Sequence, residues 1–452
     1  MLHGLDGCRS PSRAGHTAPP HTSGRAPERP DGRGSPIAAH ALRLFEQLVA
    51  VFGLLLCAKA LRPLYAAEDA VRGRPLDEAN VLFQVMSGSV YLLALVMLLP
   101  RWREAAGLLA RNSALLLLCV LAAASFLWSV EPGVAARRGL ALLLTFGFAL
   151  WMATRFRPST VVRLTVAALF LAGLASLAAA LMMPELGKHA VGSHSGLWRG
   201  TFGHKNVMGR MMSLTVVLGM LLITASRSSS MLPIMVVALA NLQIVMSSSA
   251  SAVATTFLCL AVLPATRLLS KFGLRPHVVV AGLCAALLVS ITIVALADPI
   301  LALLGRDATL SGRSRLWDIA LAEGARQPLL GAGFRTFWLE GGPGGAVMDL
   351  VSWGDGNIGN GHNAYLDLWL ELGLAGVMSY FLLLKEAMSR LVTLIRQSDP
   401  LGVALAVLLV HISTYAVTER VLLEHSDLSW LLFMVLLLQA TPALAPARSG
   451  LA

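Results

Sequence analysis

Runs of about twenty mostly apolar residues recur along this chain from near residue 42 to near residue 444. A helix needs about 20 such residues to cross the hydrocarbon core of a bilayer. Only helices and closed barrels satisfy their own backbone in lipid, so runs of this length predict an all-α polytopic membrane protein. Candidate spans fall at 42–61, 79–99, 112–129, 137–154, 162–183, 207–225, 231–247, 250–268, 277–297, 365–384, 400–418 and 428–444, about twelve transmembrane helices in all. Glu46 and Gln47 weaken the first. Spans seven and eight are parted only by Ser248 and its neighbours, which predicts a tight hairpin. Composition agrees: hydrophobic residues make up 56% of the 452 and charged residues 13%, against about 25% charged in a globular chain. So little charge cannot cover a soluble surface. A net charge of +11 would point to nucleic acid in a soluble protein. Here Lys and Arg are spread over short loops, so the partner they imply is the lipid bilayer and not nucleic acid.

Residues 1–40 differ from the rest, with six Pro and six Gly in forty positions and Arg9, Arg13, Arg25, Arg29 and Arg33. That composition without a period predicts a disordered cytoplasmic tail, either a true extension or the product of a start codon placed too far upstream. Transmembrane spans one to nine then occupy 41–297, with an outward loop at 184–206. A large outward loop covers 298–364, between spans nine and ten, and spans ten to twelve lie in 365–452. Orientation follows the Lys/Arg bias of short loops. With the N-terminus inside, inward segments hold fourteen Lys/Arg and short outward loops hold seven: Lys59, Arg62, Arg72, Arg74, Arg137, Arg138 and Arg420. Both termini therefore face the cytoplasm. Cys57, Cys119, Cys259 and Cys284 lie in apolar segments, where a thiol behaves as a small hydrophobe, and no C-x-x-C points to a disulfide framework or structural zinc.

Three constellations carry chemistry, all on the outward side. The first is Trp198-Arg199-Gly200-Thr201-Phe202-Gly203-His204-Lys205-Asn206, then Gly209-Arg210, with four cationic or potentially cationic groups in twelve residues at the mouth of span six. A charge at the membrane edge is a functional hypothesis by default. Snorkelling accounts equally for Lys205 or Arg210 alone, but needs no Gly, His or Asn beside them. The second is Ser311-Gly312-Arg313-Ser314-Arg315-Leu316-Trp317, followed by a short predicted helix at 316–323 and by Pro328-Leu329-Leu330-Gly331-Ala332-Gly333-Phe334. Arginine holds phosphate through two parallel hydrogen bonds, and arginines just ahead of a helix share it with free backbone N–H groups. The alternative is that Arg313 or Arg315 pairs with Asp307 or Asp318. The third is Gly359-Asn360-Gly361-His362-Asn363-Ala364-Tyr365-Leu366-Asp367, continuing to Glu371 and Gly376. A histidine at a helix mouth takes a proton from a hydroxyl at neutral pH; the plainer reading is a histidine that only caps the span. Glu371, nine residues further, sits deeper as a possible orienting partner.

Other chemistries lack their residues. There is no G-x-x-x-x-G-K-[ST] for an ATP motor, no metal-ligand spacing in the outward loops and no acidic pair at span centres for a proton relay. No cofactor or metal is expected. Ser247-Ser248-Ser249-Ala250-Ser251 has no adjacent base, and turn packing accounts for it.

In their order and on their common side, R-G-T-F-G-H-K-N (199–206), G-R-S-R-L-W (312–317) with P-L-L-G-A-G-F (328–334), and H-N-A-Y-L-D-L-W-L-E-L-G-L-A-G (362–376) resemble the O-antigen ligase/O-antigen polymerase family of bacterial envelope enzymes. The resemblance is close over about 190–376 and looser over the twelve-span layout. It implies a GT-C-like membrane glycosyltransferase of the inner membrane, inverting and metal-independent. The implied donor is an undecaprenyl-diphosphate-linked oligosaccharide at the periplasmic leaflet, and the acceptor a glycan or lipid A-core hydroxyl. His362 then matches the general base, and Arg199 and Arg313 match the arginines that hold the departing diphosphate. Arg315 and Lys205 join them in donor binding, and His204, Asn206, Asn363 and Glu371 support the site. A diphosphate leaving in a dry cleft needs positive charge, which agrees with the residue reading. The R-G-T-F-G-H-K-N form is nearer the exopolysaccharide-polymerase branch than the lipid A-core ligase branch; the serine hairpin lacks the basic residue of some relatives, and the tail is outside the family pattern. A twelve-span transporter, in the form of a flippase for the same lipid-linked glycan, is the alternative from another class. Transporters usually carry internal repeats and midplane sites, no likeness between halves is present, and a flippase would not need His362.

Overall fold

A computed structural model describes residues 36–65, 80–190, 194–225, 231–271, 311–339, 341–345 and 360–441, with six single helical positions between 278 and 292. The chain divides into two units, residues 1–45 and 46–452; the first supplies the opening turns of helix α1 (Pro36–Cys57). In the second follow α2 (Val81–Leu98), α3 (Trp102–Arg111), α4 (Ser113–Ala124), α5 (Pro132–Arg155), α6 (Pro158–Met182), α7 (Lys205–Ala225), α8 (Met231–Ser247) and α9 (Ala250–Lys271). The described helices end with α10 (Ser311–Gly324), α11 (Ala364–Arg396), α12 (Pro400–Ala416) and α13 (Leu428–Gln439). Apart from one isolated bridge, Lys188 to Trp198, the described residues form helices and turns.

The result is a polytopic membrane protein. Among the described residues seven helices are long and apolar enough to cross a bilayer, and four shorter apolar helices accompany them. Eleven of the twelve sequence spans coincide with these; the ninth, apart from its six helical positions, lies outside the described residues, as do residues 1–35, 298–310 and 346–359. The first helix begins at Pro36, inside the segment read as tail. Its awkward Glu46 is answered by Arg155 of α5, whose Nε donates at 2.7 Å. The short helices have a physical reason. At 1.5 Å per residue the twelve residues of α13 reach about 18 Å, short of a bilayer core of about 30 Å. Every residue from Leu428 to Leu438 is buried, whereas α2 leaves Val81, Leu82, Val85, Leu92 and Val96 open to lipid. A helix apolar all round belongs inside a bundle, and α13 packs there against α5 and α12. The α8–α9 hairpin is as tight as its sequence implies, turning at Ser248 (φ 47°).

Span ten departs from expectation. The helix runs to Arg396 and is interrupted at Gly373 (φ 59°, ψ −158°). Into the break fits the 328–334 segment. Leu374 N–H donates to the Pro328 carbonyl (2.8 Å) and Ala375 N–H to Leu329 (3.1 Å). In return Ala332 and Gly333 N–H donate to the carbonyls of Leu370 (3.0 Å) and Glu371 (2.9 Å). A Cβ on Gly373 would lie 2.3 Å from the Leu329 carbonyl carbon, so only glycine permits the approach. Non-helical backbone at membrane depth persists only where protein satisfies it. This explains why P-L-L-G-A-G-F and E-L-G-L-A-G occur together.

Candidate active site

The ends of six segments converge on a cavity of about 540 Å3. The end of α1 and the turn after it bring Lys59 and Arg62, α5 brings Arg137 and Arg138, and the turn into α7 brings His204, Asn206 and Arg210. Arg335 follows the 328–334 segment, His362 precedes α11, and the turn between α12 and α13 supplies Glu419, Arg420, Glu424 and His425. Seven Lys/Arg against two Glu line it. Even with the buried partners Glu371 and Asp427 counted, cations outnumber acids seven to four. The field inside therefore favours an anion. Five of the seven cations that alternation puts outward line this cavity; Arg72 and Arg74 lie outside the described residues.

Buried acids hold these cations in place. Asp427 caps α13 by accepting from Ser429 and Trp430 N–H, and its other oxygen accepts from Arg210 Nη2 at 2.7 Å. Nη1 of Arg210 is left without a protein partner. Arg420 pairs with Glu371 and, at 3.4 Å, with Glu424. Glu424 also takes Arg335 at 2.9 Å and Lys59 at 3.5 Å. Burial works against the charge on Glu424, and Arg335, Lys59 and Arg420 outweigh it, holding the carboxyl below its ordinary range. Burial and then Arg335 push His425 well below the usual imidazole value. Its Nδ1, 3.0 Å from Arg335 Nη1, accepts that hydrogen bond.

His362 sits at the mouth of α11 with φ 48°, and its Nδ1 lies 4.0 Å from Glu419 Oε2. The other carboxylate oxygen of Glu419 accepts from Asn206 Nδ2 at 3.2 Å. At 4.0 Å this is an electrostatic approach and not a hydrogen bond; a carboxylate near Nδ1 favours the tautomer that leaves Nε2 as proton acceptor, as a general base requires. The 199–206 turn is built for close approach. Gly203 (φ 80°) lets Arg62 pass so near that a Cβ there would lie 1.7 Å from Nη1. Beside it, the rings of His189, His194 and His204 meet edge to face at 5.3–5.8 Å. His189 Nε2 accepts from Lys205 N–H and His204 Nδ1 from Asn206 N–H, both at 3.2 Å. Burial lowers the pKa of His189 to about 3, helped by His204; burial lowers that of His204 to about 4, against the pull of Glu419. Among the described residues no group of three or more His, Cys, Asp or Glu can hold a metal ion.

The residues singled out from sequence are thus distributed unevenly. His204, Asn206 and His362 line the cavity. Arg199 is buried, and its guanidinium donates to the carbonyls of Glu185 (2.7 Å) and Leu186 (3.2 Å). Asn363 caps α11, and Glu371 anchors Arg420. Lys205 begins α7 beside the histidines and is not among the lining residues. Arg313 and Arg315 lie within α10 rather than ahead of it, because the helix begins at Ser311 and not at Leu316; their side chains lie outside what is described. Sequence reasoning missed Arg62, Arg137, Arg138, Arg335, Glu419, Arg420, Glu424 and His425 as site residues. The signal was present in the adjacent arginines 137–138 and in Glu419-Arg420…Glu424-His425-Ser426-Asp427, a dense polar run between two short apolar helices.

Residues 212–381 match the family model described as O-antigen ligase. The match begins just after the 199–206 turn and takes in Arg313, Arg315, His362 and Glu371. The exopolysaccharide production protein ExoQ of Rhizobium meliloti is 30% identical over 95 residues, 20% of this chain and 21% of its own. That similarity spans about a fifth of either protein. Over residues 212–381 the chain is thus similar to the O-antigen ligase family.

Proposed function

We propose that this protein transfers a glycan from undecaprenyl diphosphate to an acceptor hydroxyl at the periplasmic face of the inner membrane. The carrying observation is His362, 4.0 Å from Glu419, in a cavity walled by seven cationic side chains. In this reading His362 Nε2 takes the acceptor hydroxyl proton while Glu419 steadies the imidazolium that forms. The hydroxyl oxygen attacks the anomeric carbon from the face opposite the leaving diphosphate, which inverts the centre. The arginines receive the diphosphate charge as it separates, a task for preorganised donors in a water-poor site. Arg210 supports this best, since Asp427 fixes it while one of its nitrogens stays open. Arg199 acts here by shaping its turn, and Arg313 and Arg315 remain donor ligands by the family resemblance.

Twelve spans with both termini inside is the layout we adopt, and it is supported by the gathering of the outward cations at one cavity. Polymerisation of repeat units is the favoured form of the reaction, because the R-G-T-F-G-H-K-N turn and the similarity to an exopolysaccharide production protein both lean that way. Ligation to lipid A-core is the second reading, which the family description favours. The test is the lipid-linked glycan profile of a deletion strain carrying wild-type or His362→Ala protein. Single repeat units stalled on the carrier identify a polymerase and long stalled chains a ligase. A normal profile with the variant would remove His362 from the chemistry and return the flippase to consideration.

A further inference from the structure

The backbone at His362 lies in the left-handed region, φ 48°, which a non-glycine residue holds only when its surroundings over-determine it. The surroundings can be named. The carbonyl of Gly361 and the N–H of His362 belong to one peptide plane. Trp317 Nε1 of α10 donates to that carbonyl at 2.8 Å, and the His362 N–H donates to Asn360 Oδ1 at 2.8 Å. On the other side of His362, Asn363 is fixed as the N-cap of α11 by Tyr365 and Leu366 N–H. The peptide before His362 is thus held at both edges, and the residue after it is fixed as a helix cap. Behind this stands one buried carboxylate. Asp367 Oδ1 accepts from Gly361 N–H at 3.0 Å and from Trp338 Nε1 at 2.7 Å. A Cβ on Gly361 would lie 2.8 Å from that oxygen and 3.1 Å from the Trp338 ring.

We infer that Asp367, gripped by Trp338 and gripping Gly361, is a positioning residue that holds His362 in its left-handed conformation and so aims the imidazole at Glu419 and the cavity. Its neighbours serve that end. Trp317, Trp338 and Leu370 pack with Leu316, Ala320 and Phe337 into a small apolar cluster of their own. That cluster buries the Trp338 hydrogen bond and partly shields that of Trp317, and it ties α10, the 331–339 turns and α11 to one peptide. Asp367 touches no cavity: its place is behind His362, and its effect passes through the main chain. The functional meaning rests on the reading of His362 as the base; the mechanical claim stands apart from it.

Two readouts keep these separate. One is glycan output from the strain's own lipid-linked donor in a deletion strain, normalised to the amount of full-length protein in the membrane. The other is the rate at which diethyl pyrocarbonate carbethoxylates His362 in the full-length protein in detergent, followed by peptide mapping with His204 as internal control. Asp367→Ala is expected to lower output about 10- to 100-fold, as displacement of a reacting group does, and to change the His362 rate several-fold while His204 keeps its own. Asp367→Asn, which retains the Oδ1 acceptor, is expected to restore both to within about twofold of wild type, since replacing one acceptor by another of the same geometry is nearly neutral. Should Asp367→Ala fail to reach the membrane, Trp338→Phe keeps the ring, loses the donor and is held to the same His362 rate criterion. An unchanged His362 rate in Asp367→Ala, or in Trp338→Phe standing in for it, overturns the proposal. So does an Asp367→Asn protein as impaired as Asp367→Ala. If instead the His362 rate responds while His362→Ala protein gives wild-type output, the clamp stands and the base assignment falls.

Discussion

Arg390 and Arg210 do opposite things with the same side chain. Near the far end of α11, Arg390 is saturated: it donates to Asn112 Oδ1, to the carbonyls of Leu437 (2.9 Å) and Arg111 (2.7 Å), to Thr441 Oγ1 (2.9 Å), and pairs with Glu386. It locks the ends of α3, α11 and α13 together. Arg210 of α7 is held through one nitrogen by Asp427, the cap of α13, and its buried Nη1 has no hydrogen-bond partner in the protein. Both guanidiniums are largely buried. Burial and charge therefore do not separate these two arginines; the count of satisfied nitrogens does.

The comparison is tested from its strongest consequence downward. His362→Ala, which under the proposed function removes the base from the cavity that Arg210 also lines, is expected to cut turnover by about 10²–10⁴ with the protein still inserted, as read from glycan transfer per folded molecule. Arg390→Met is expected to lower stability by about 3–5 kcal/mol, the cost of orphaning a buried partner, with transfer per folded molecule unchanged; thermal unfolding in detergent measures it. Arg210→Met is expected to combine a turnover loss of about 10²–10³, as for one lost donor to a developing anion, with a stability loss of similar size to that of Arg390→Met, since it leaves the buried Asp427 unpaired. If Arg390→Met and Arg210→Met give the same ratio of lost stability to lost turnover, the distinction fails. The smallest effect is one of pH. His189 and His204 have pKa values of about 3 and 4 in the fold, below the unfolded value of about 6.5. Their contribution to holding the 189–206 turn is present above pH 6.5 and is lost as pH falls towards 4 and then 3. Hydrogen exchange of the turn's amides between pH 7 and 4 should show this loss, diminished in His204→Gln.

Sequence carried the polytopic class and eleven of the spans, because a bilayer imposes one length and one polarity on whatever crosses it. It also singled out His204, Asn206 and His362, which line one cavity, since His, Gly and Asn at a helix mouth have no lipid-facing use. It did not carry which cations face one another. Arg199 and Arg210 look alike in the motif, yet one is spent on the carbonyls of Glu185 and Leu186 and the other on the cavity. Arg420 and Arg138 entered only as topology markers, because the pairing of residue 420 with residue 371 is a matter of helix packing and leaves no local pattern. The interruption of α11 was equally hidden. Gly373 in an apolar run reads as ordinary span, and what makes it a break is a segment some forty residues earlier.

That interruption bears on how the molecule is made. Until residues 328–334 dock, the backbone groups around Gly373 that they satisfy face hydrocarbon, where each naked N–H or C=O costs several kcal/mol. The docking segment leaves the ribosome first and waits; α11 arrives later and cannot be completed without it. Biogenesis thus contains a built-in order, the 328–334 segment before α11. A membrane quality-control protease would find its substrate in any molecule where this order failed.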